Sequence, residues 1–151
     1  MSVIPYTRHR VDPNPAFPCG EEIPRVLCWV GIKQGGKHST VIQAMIDTGS
    51  DYCVFPADVL DELGIDKGSL PLGEIRGMGE AQNIYYATVT LWVKDVGEWE
   101  VYAGFSEYLR ITGSGLLGFR GFLERFKIVF DPSASEVTIS PSEVGYATSR
   151  S

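Results

Sequence analysis

Asp47-Thr48-Gly49-Ser50 is the tetrapeptide whose residue types and spacing speak most directly of chemistry. It follows the apolar run at residues 41–46, so a strand would carry Asp47 from a core to a sharp loop. Gly49 permits the tight backbone, and the hydroxyls of Thr48 and Ser50 can hold a carboxylate in position. A carboxylate held in that way can act as a general base. The same residue types also build ordinary polar turns, so the tetrapeptide takes its meaning from its surroundings.

Two other glycine motifs imitate nucleotide sites. Gly31-x4-Gly36-Lys37 has the outline of a phosphate loop, but His38 stands where Ser or Thr would hold magnesium, and a hairpin turn explains the glycines better. Gly113-Ser114-Gly115-Leu116-Leu117-Gly118 matches the dinucleotide fingerprint, yet it comes late in a strand-rich chain with no following long helix. No metal or cofactor is expected. The two histidines (His9 and His38) and three cysteines (Cys19, Cys28 and Cys53) lack zinc-ligand spacing, and the cysteines read as reduced thiols.

The elements that must position Asp47 are mostly strands. Short β-branched runs at 26–32 and 41–46 flank Gln34-Gly35-Gly36-Lys37, a hairpin signal. Further strand-like runs occupy 85–93, 99–105, 126–130 and 136–139, the last two joined by Asp131-Pro132-Ser133-Ala134-Ser135. Helical pattern is confined to 57–63, closed by Gly64, and to about 121–125, both too short for βαβ units. Five prolines in the first 24 residues (Pro5, Pro13, Pro15, Pro18 and Pro24) make residues 1–25 an extended arm before a domain at 26–140, with a polar tail at 141–151. The aromatic residues Tyr85, Tyr86, Trp92, Trp99 and Tyr102 fall on strands, where packing is their default role.

The chain has 151 residues, 44% of them hydrophobic, enough for one domain with a real core. Thirteen basic residues against 19 acidic ones leave a net charge of −6, with no basic stripe for a phosphate backbone, so nucleic acid is not an expected partner. The longest apolar stretch is too short to span a bilayer as a helix, and the first residues carry no signal-peptide pattern. A cytoplasmic location, without membrane attachment, is the expectation.

Three elements in order resemble the retropepsin-like aspartic proteases, the single-domain enzymes of retroviruses, retrotransposons and bacteria. Asp47-Thr48-Gly49-Ser50 is similar to the catalytic loop of that family, and Arg76-Gly77-Met78-Gly79-Glu80 to its glycine-rich flap. Leu116-Leu117-Gly118 is similar to the apolar-apolar-Gly signature that threads behind the catalytic loop. The resemblance covers residues 25–140 and departs at one point. Many family members place Arg directly after that glycine, to support the acidic residue here numbered Asp51, whereas this chain has Phe119 there and Arg120 one position later.

The resemblance implies a mostly β, small closed barrel with one or two short helices, and an aspartic endopeptidase that needs no cofactor. No other aspartate is followed by Thr-Gly or Ser-Gly. Two carboxylates sharing one proton are required for this reaction, so the active form would be a homodimer with Asp47 contributed twice. By the same resemblance, Thr48 would bond across the two-fold axis and Ser50 would orient the outer carboxylate oxygen of Asp47. Gly49 would bind the main chain of an extended peptide substrate, Gly77, Met78 and Gly79 would form the flap tip, and Leu116, Leu117 and Gly118 would back the site. The alternative is a barrel of the same kind that binds peptides or dimerises without catalysis.

Overall fold

The computed structural model describes residues 1–76 and 79–142. The proline-rich beginning is extended, but it divides into strands: β1 (Ser2–Pro5), then β2 (Thr7–Val11) and β3 (Glu21–Arg25), which pair only with each other. There follow β4 (Leu27–Gln34), β5 (Lys37–His38), β6 (Ile42–Ile46) and β7 (Val54–Pro56), then α1 (Asp58–Glu62), the single α-helix among the described residues. The remaining strands are β8 (Leu72–Ile75), β9 (Gln82–Val93), β10 (Gly97–Ser106), β11 (Gly115–Leu117), β12 (Phe126–Asp131) and β13 (Glu136–Pro141). Short 3-10 turns lie at Lys67–Ser69, Tyr108–Arg110 and Leu123–Arg125. The second helical pattern, at 121–125, is therefore realised only as a 3-10 turn, because Gly121 adopts a φ of +94° that starts no α-helix.

Alternation closes the architecture. Cys28, Val30 and Ile32 point inward from β4 while Trp29 faces out, and Ala87, Val89, Leu91 and Val93 do the same on β9. Gly35 and Gly36, at φ +56° and +78°, turn β4 back into β5. β4 pairs with β6 on one side and with β9 on the other, and the ring runs β4, β6, β11, β7, β10, β9 and back to β4. The result is a closed six-stranded barrel, with β5 and β8 as short appendages. Its interior is filled by residues such as Phe55, Phe105, Leu91 and Leu117, all fully buried.

Beneath the barrel, β1, β13 and β12 form a three-stranded antiparallel sheet. Val137 and Ile139 are buried, and Ile4 and Ile128 pack against the main core. The first strand of the proline-rich segment is thus part of the packed body, which its proline at the strand end, Pro5, does not prevent. Trp99 anchors this region: its Nε1 donates to the Gly121 carbonyl at 2.7 Å, and its rings lie 5.2 Å from Phe126 and 6.2 Å from Phe122. Most of the tail at 141–151 lies outside the described residues. Among the described residues no helix is long and apolar enough to cross a membrane.

Candidate active site

The short strand β11 inserts between β6 and β7, pairing in parallel with β6 through Ala44 and Gly115, Met45 and Leu116, and Ile46 and Leu117. The ladder continues one step past the strand, where the Asp47 amide donates to the Leu117 carbonyl at 3.0 Å. The chain then turns, with the Ser50 amide donating to the Asp47 carbonyl at 3.2 Å. Within the turn the Gly49 amide donates to Oδ1 of Asp47 at 2.9 Å, which fixes the carboxylate of this half-buried side chain. Asp47 therefore sits at the rim of the barrel on a loop defined by backbone bonds.

The Ser50 hydroxyl donates to the Tyr52 carbonyl at 2.7 Å, and not to the Asp47 carboxylate. The expected orienting role of Ser50 is corrected: its Oγ faces along the loop and braces the chain two residues on. Thr48 is exposed, and its side chain makes no hydrogen bond to the described residues. Gly77 and Met78, the residues expected at a flap tip, lie outside the described residues.

Behind the loop runs the segment 118–120. The Phe119 amide donates to the Ser50 carbonyl at 2.8 Å, and the Arg120 amide donates to the Asp51 carbonyl at 2.9 Å. Gly118 is obligatory there, because a Cβ at this position would stand 2.7 Å from the Ser50 carbonyl oxygen and closer still to that of Tyr52. Among the described residues no ion pair joins Arg120 to Asp51. The one-residue displacement of the arginine leaves the main chain to brace the loop. Leu117 is fully buried and Leu116 faces the cavity, as alternation requires.

The cavity in front of Asp47 measures about 630 Å³. Its floor includes Asp47, Gly49 and Leu116, and its opposite wall comes from the β8–β9 hairpin through Ile75, Arg76 and Gly79. Ile75 pairs with Gln82 at the last rung described, so the described arms of the β8–β9 hairpin frame this space. Its size lies within the range of ligand-binding pockets.

The far wall was not legible as a motif. Tyr108 and Leu109 line the cavity from a 3-10 turn that an ion network holds against α1. Lys67 Nζ lies 3.1 Å from Glu107 and 3.5 Å from Asp61, and Arg110 reaches Asp61 at 2.6 Å and Glu107 at 3.1 Å. The hydrogen bond from Lys67 to Glu107 holds the pKa of Lys67 above its ordinary value. These contacts join segments far apart in sequence, which is why spacing alone gives no hint of them.

Burial pushes the Cys53 thiol up to about 12, which keeps it protonated and unreactive six residues from Asp47. Burial, the hydrogen bond to Tyr86 and the negative charge of Asp51 together raise the Tyr52 phenol. Among the described residues no group of three or more His, Cys, Asp or Glu side chains could hold a metal ion. Both nucleotide-like motifs resolve into β structure, Gly31 to Lys37 as strand and turn and Gly113 to Gly118 as a turn entering β11.

Comparison with known proteins places this geometry in a fold. No family model matches the sequence, and no curated protein matches it. Among solved structures, the chain is similar to a retropepsin-like aspartic protease from Rickettsia conorii, with a TM-score of 0.56 and 18% identity over 87% of this chain and 97% of that one. The closed barrel with few helices is the retropepsin-like fold.

Proposed function

We propose that this chain is an aspartic endopeptidase, active as a homodimer in which Asp47 of each subunit meets on a two-fold axis. The observation that carries this reading is the placement of Asp47: its amide is tied to Leu117, its carboxylate to the Gly49 amide, and its side chain opens on the cavity framed by the β8–β9 hairpin. A general base needs such fixed geometry beside a space that admits substrate.

In the reaction the two carboxylates hold one proton between them, because like charges about 3 Å apart do not both ionise. The ionised Asp47 takes a proton from a water molecule, whose oxygen attacks the scissile carbonyl carbon. The protonated Asp47 of the other subunit donates to the carbonyl oxygen, giving a neutral tetrahedral diol. Collapse of the diol breaks the C–N bond, with a proton delivered to the leaving amine and the shared proton restored to the pair. No metal or cofactor enters. The exposed Thr48 is available for a bond across the axis, and the β8–β9 hairpin closes over an extended peptide that pairs as an added strand. A cytoplasmic setting agrees with unpaired Cys19, Cys28 and Cys53.

The test is mass-spectrometric profiling of a complex peptide library with wild type and Asp47→Asn across pH 3 to 9, with the assembly state measured in the same buffers. Cuts made by wild-type dimer and absent from the variant support the protease, and a rate that falls at both pH extremes reports the shared proton. Equal cutting by the pure variant moves the chemistry elsewhere. Stable monomer without cuts favours a barrel that binds peptides and does not cleave them.

A further inference from the structure

A second cavity, of about 340 Å³, opens beside the first and shares its Asp51 and Tyr52 wall. Its other lining residues are Tyr86, Tyr102, Phe119 and Arg120. The three tyrosines form an ordered set. Tyr52 and Tyr86 meet edge to face at 5.6 Å with their hydroxyl oxygens 3.0 Å apart, and Tyr86 stacks on Tyr102 at 5.8 Å and 17°. The stack is open at its outer end: Tyr102 is 47% exposed and Phe119 45% exposed, although both are large aromatic residues.

We propose that this cavity is an outer subsite that takes an aromatic side chain of the bound peptide. The inference rests on the peptide-binding reading of the neighbouring cavity and adds to it a class of substrate side chain. Three features select the occupant. Four of the six lining residues are aromatic, so a planar ring extends an existing stack at a separation that rings prefer. One acidic and one basic residue, Asp51 and Arg120, leave the lining without net charge, which gives no advantage to a charged side chain, while Arg120 can lie over the face of an entering ring. The shared wall at Asp51 and Tyr52 lets one extended chain fill both cavities, since alternate side chains of a strand point to the same face.

Tyr52, on the wall shared by the two cavities, is a hydrogen-bonded group, and burial and the Tyr86 partner hold its phenol protonated in the pH range of the assays below. Tyr102 belongs to the outward face of β10, opposite Thr88 of β9, and lines the second cavity but not the one in front of Asp47.

Two readouts test the subsite with one peptide library. Cleavage is profiled with wild type, Tyr102→Ala and Tyr102→Phe, and binding is profiled by recovering peptides retained on the same three sequences carrying Asp47→Asn, which does not need to cut. The expected result is enrichment of Phe, Tyr or Trp at one position outside the cleaved bond, reduced about 3- to 10-fold in Tyr102→Ala and kept in Tyr102→Phe. Retention of ring-bearing peptides that depends on Tyr102, with no cutting by wild type, supports the subsite while removing the protease reading. Absence of any aromatic preference in retained peptides, or a preference that Tyr102→Ala leaves unchanged, overturns the subsite whatever happens to cleavage.

Discussion

The backbone amide of Asp47 donates to the carbonyl of Leu117 at 3.0 Å, extending the β6–β11 ladder one rung beyond the last strand residue. The candidate catalytic residue thereby takes its position from a central pair of barrel strands and not from a free loop. With the Gly49 amide on its carboxylate and the 118–120 segment bonded beneath, the loop has little freedom to wander. A site held by main-chain bonds tolerates exchange of most side chains around it, and depends heavily on the few positions where two backbones nearly touch.

Gly118 is the foremost of those positions. Gly118→Ala forces a methyl group into the carbonyl oxygens of Ser50 and Tyr52, so the loop or β11 must move. The expected cost is about 3 kcal/mol of stability, read as a lowered denaturant midpoint, together with loss of cleavage. A variant as stable as wild type would show that the loop yields easily.

If Asp47 is contributed once by each subunit, an inactive subunit poisons its partner. Mixing wild type with an equal amount of Asp47→Asn and allowing exchange leaves about a quarter of the activity of an all-wild-type dimer population of the same total concentration, because only one pairing in four carries two aspartates. The side-chain amide oxygen introduced by Asp47→Asn would still accept the Gly49 amide, so circular dichroism and dimer content stay unchanged. Residual activity of one half, the simple dilution value, would assign a complete site to each chain.

Lys67 and Arg110 fasten the turn that presents Tyr108 and Leu109 to the cavity. Their ion pairs are substantially exposed, so Lys67→Met and Arg110→Met should each cost less than about 1 kcal/mol of stability. Their effect is expected in substrate binding: KM rises several-fold with kcat nearly unchanged, and high salt produces a weaker version of the same change in wild type. A fall in kcat without a change in KM would contradict a wall-positioning role.

The cysteines divide by burial. Cys19 is exposed, while burial pushes Cys28 and Cys53 up to about 12 from an ordinary 9.0. At pH 8 a thiol reagent should modify Cys19 rapidly and the other two only on unfolding. The raised values also set the sign of the alkaline response: stabilisation from the two protonated thiols is complete below pH 9 and is lost as pH rises toward 12. The unfolded chain releases protons that the folded chain retains, so each thiol lowers stability by up to about 1.4 kcal/mol per pH unit in that window. Melting of Cys28→Ala and Cys53→Ala between pH 8 and 10.5 should show a shallower decline than wild type.

The barrel was legible because its strands alternate and its turns are marked. Gly35-Gly36 and the β-branched runs predict the β4 to β6 region, and Asp47-Thr48-Gly49-Ser50 and Leu116-Leu117-Gly118 meet across the β6–β11 ladder as their resemblance implies. What escaped the sequence depends on contacts between distant residues. The bond made by Ser50 is not readable from its spacing, because the turn geometry decides that its hydroxyl donates to the Tyr52 carbonyl. The wall built by Tyr108 and Leu109 depends on a charge network drawn from three segments, and the tyrosine stack likewise joins residues from three. β8 was hidden because Leu72-Gly73-Glu74-Ile75 is short and pairs only with β9 along one side. β1 was hidden because the neighbouring prolines argue against a strand, yet its partner β13 lies far away in the sequence.

That last pairing orders events in time. Ser2 finds its partner Ile139 only after every barrel strand has been made, so β1 must wait on the ribosome's output while the rest of the chain collapses. The ring itself also closes late, since β4 waits for β9. A topology of such distant pairings folds slowly, in milliseconds to seconds, and docking of β1 is its latch. Until that latch engages, the edge of β13 that pairs with β1 stays open, which makes the newly made chain most vulnerable to edge-to-edge association in the interval before β1 returns to β13.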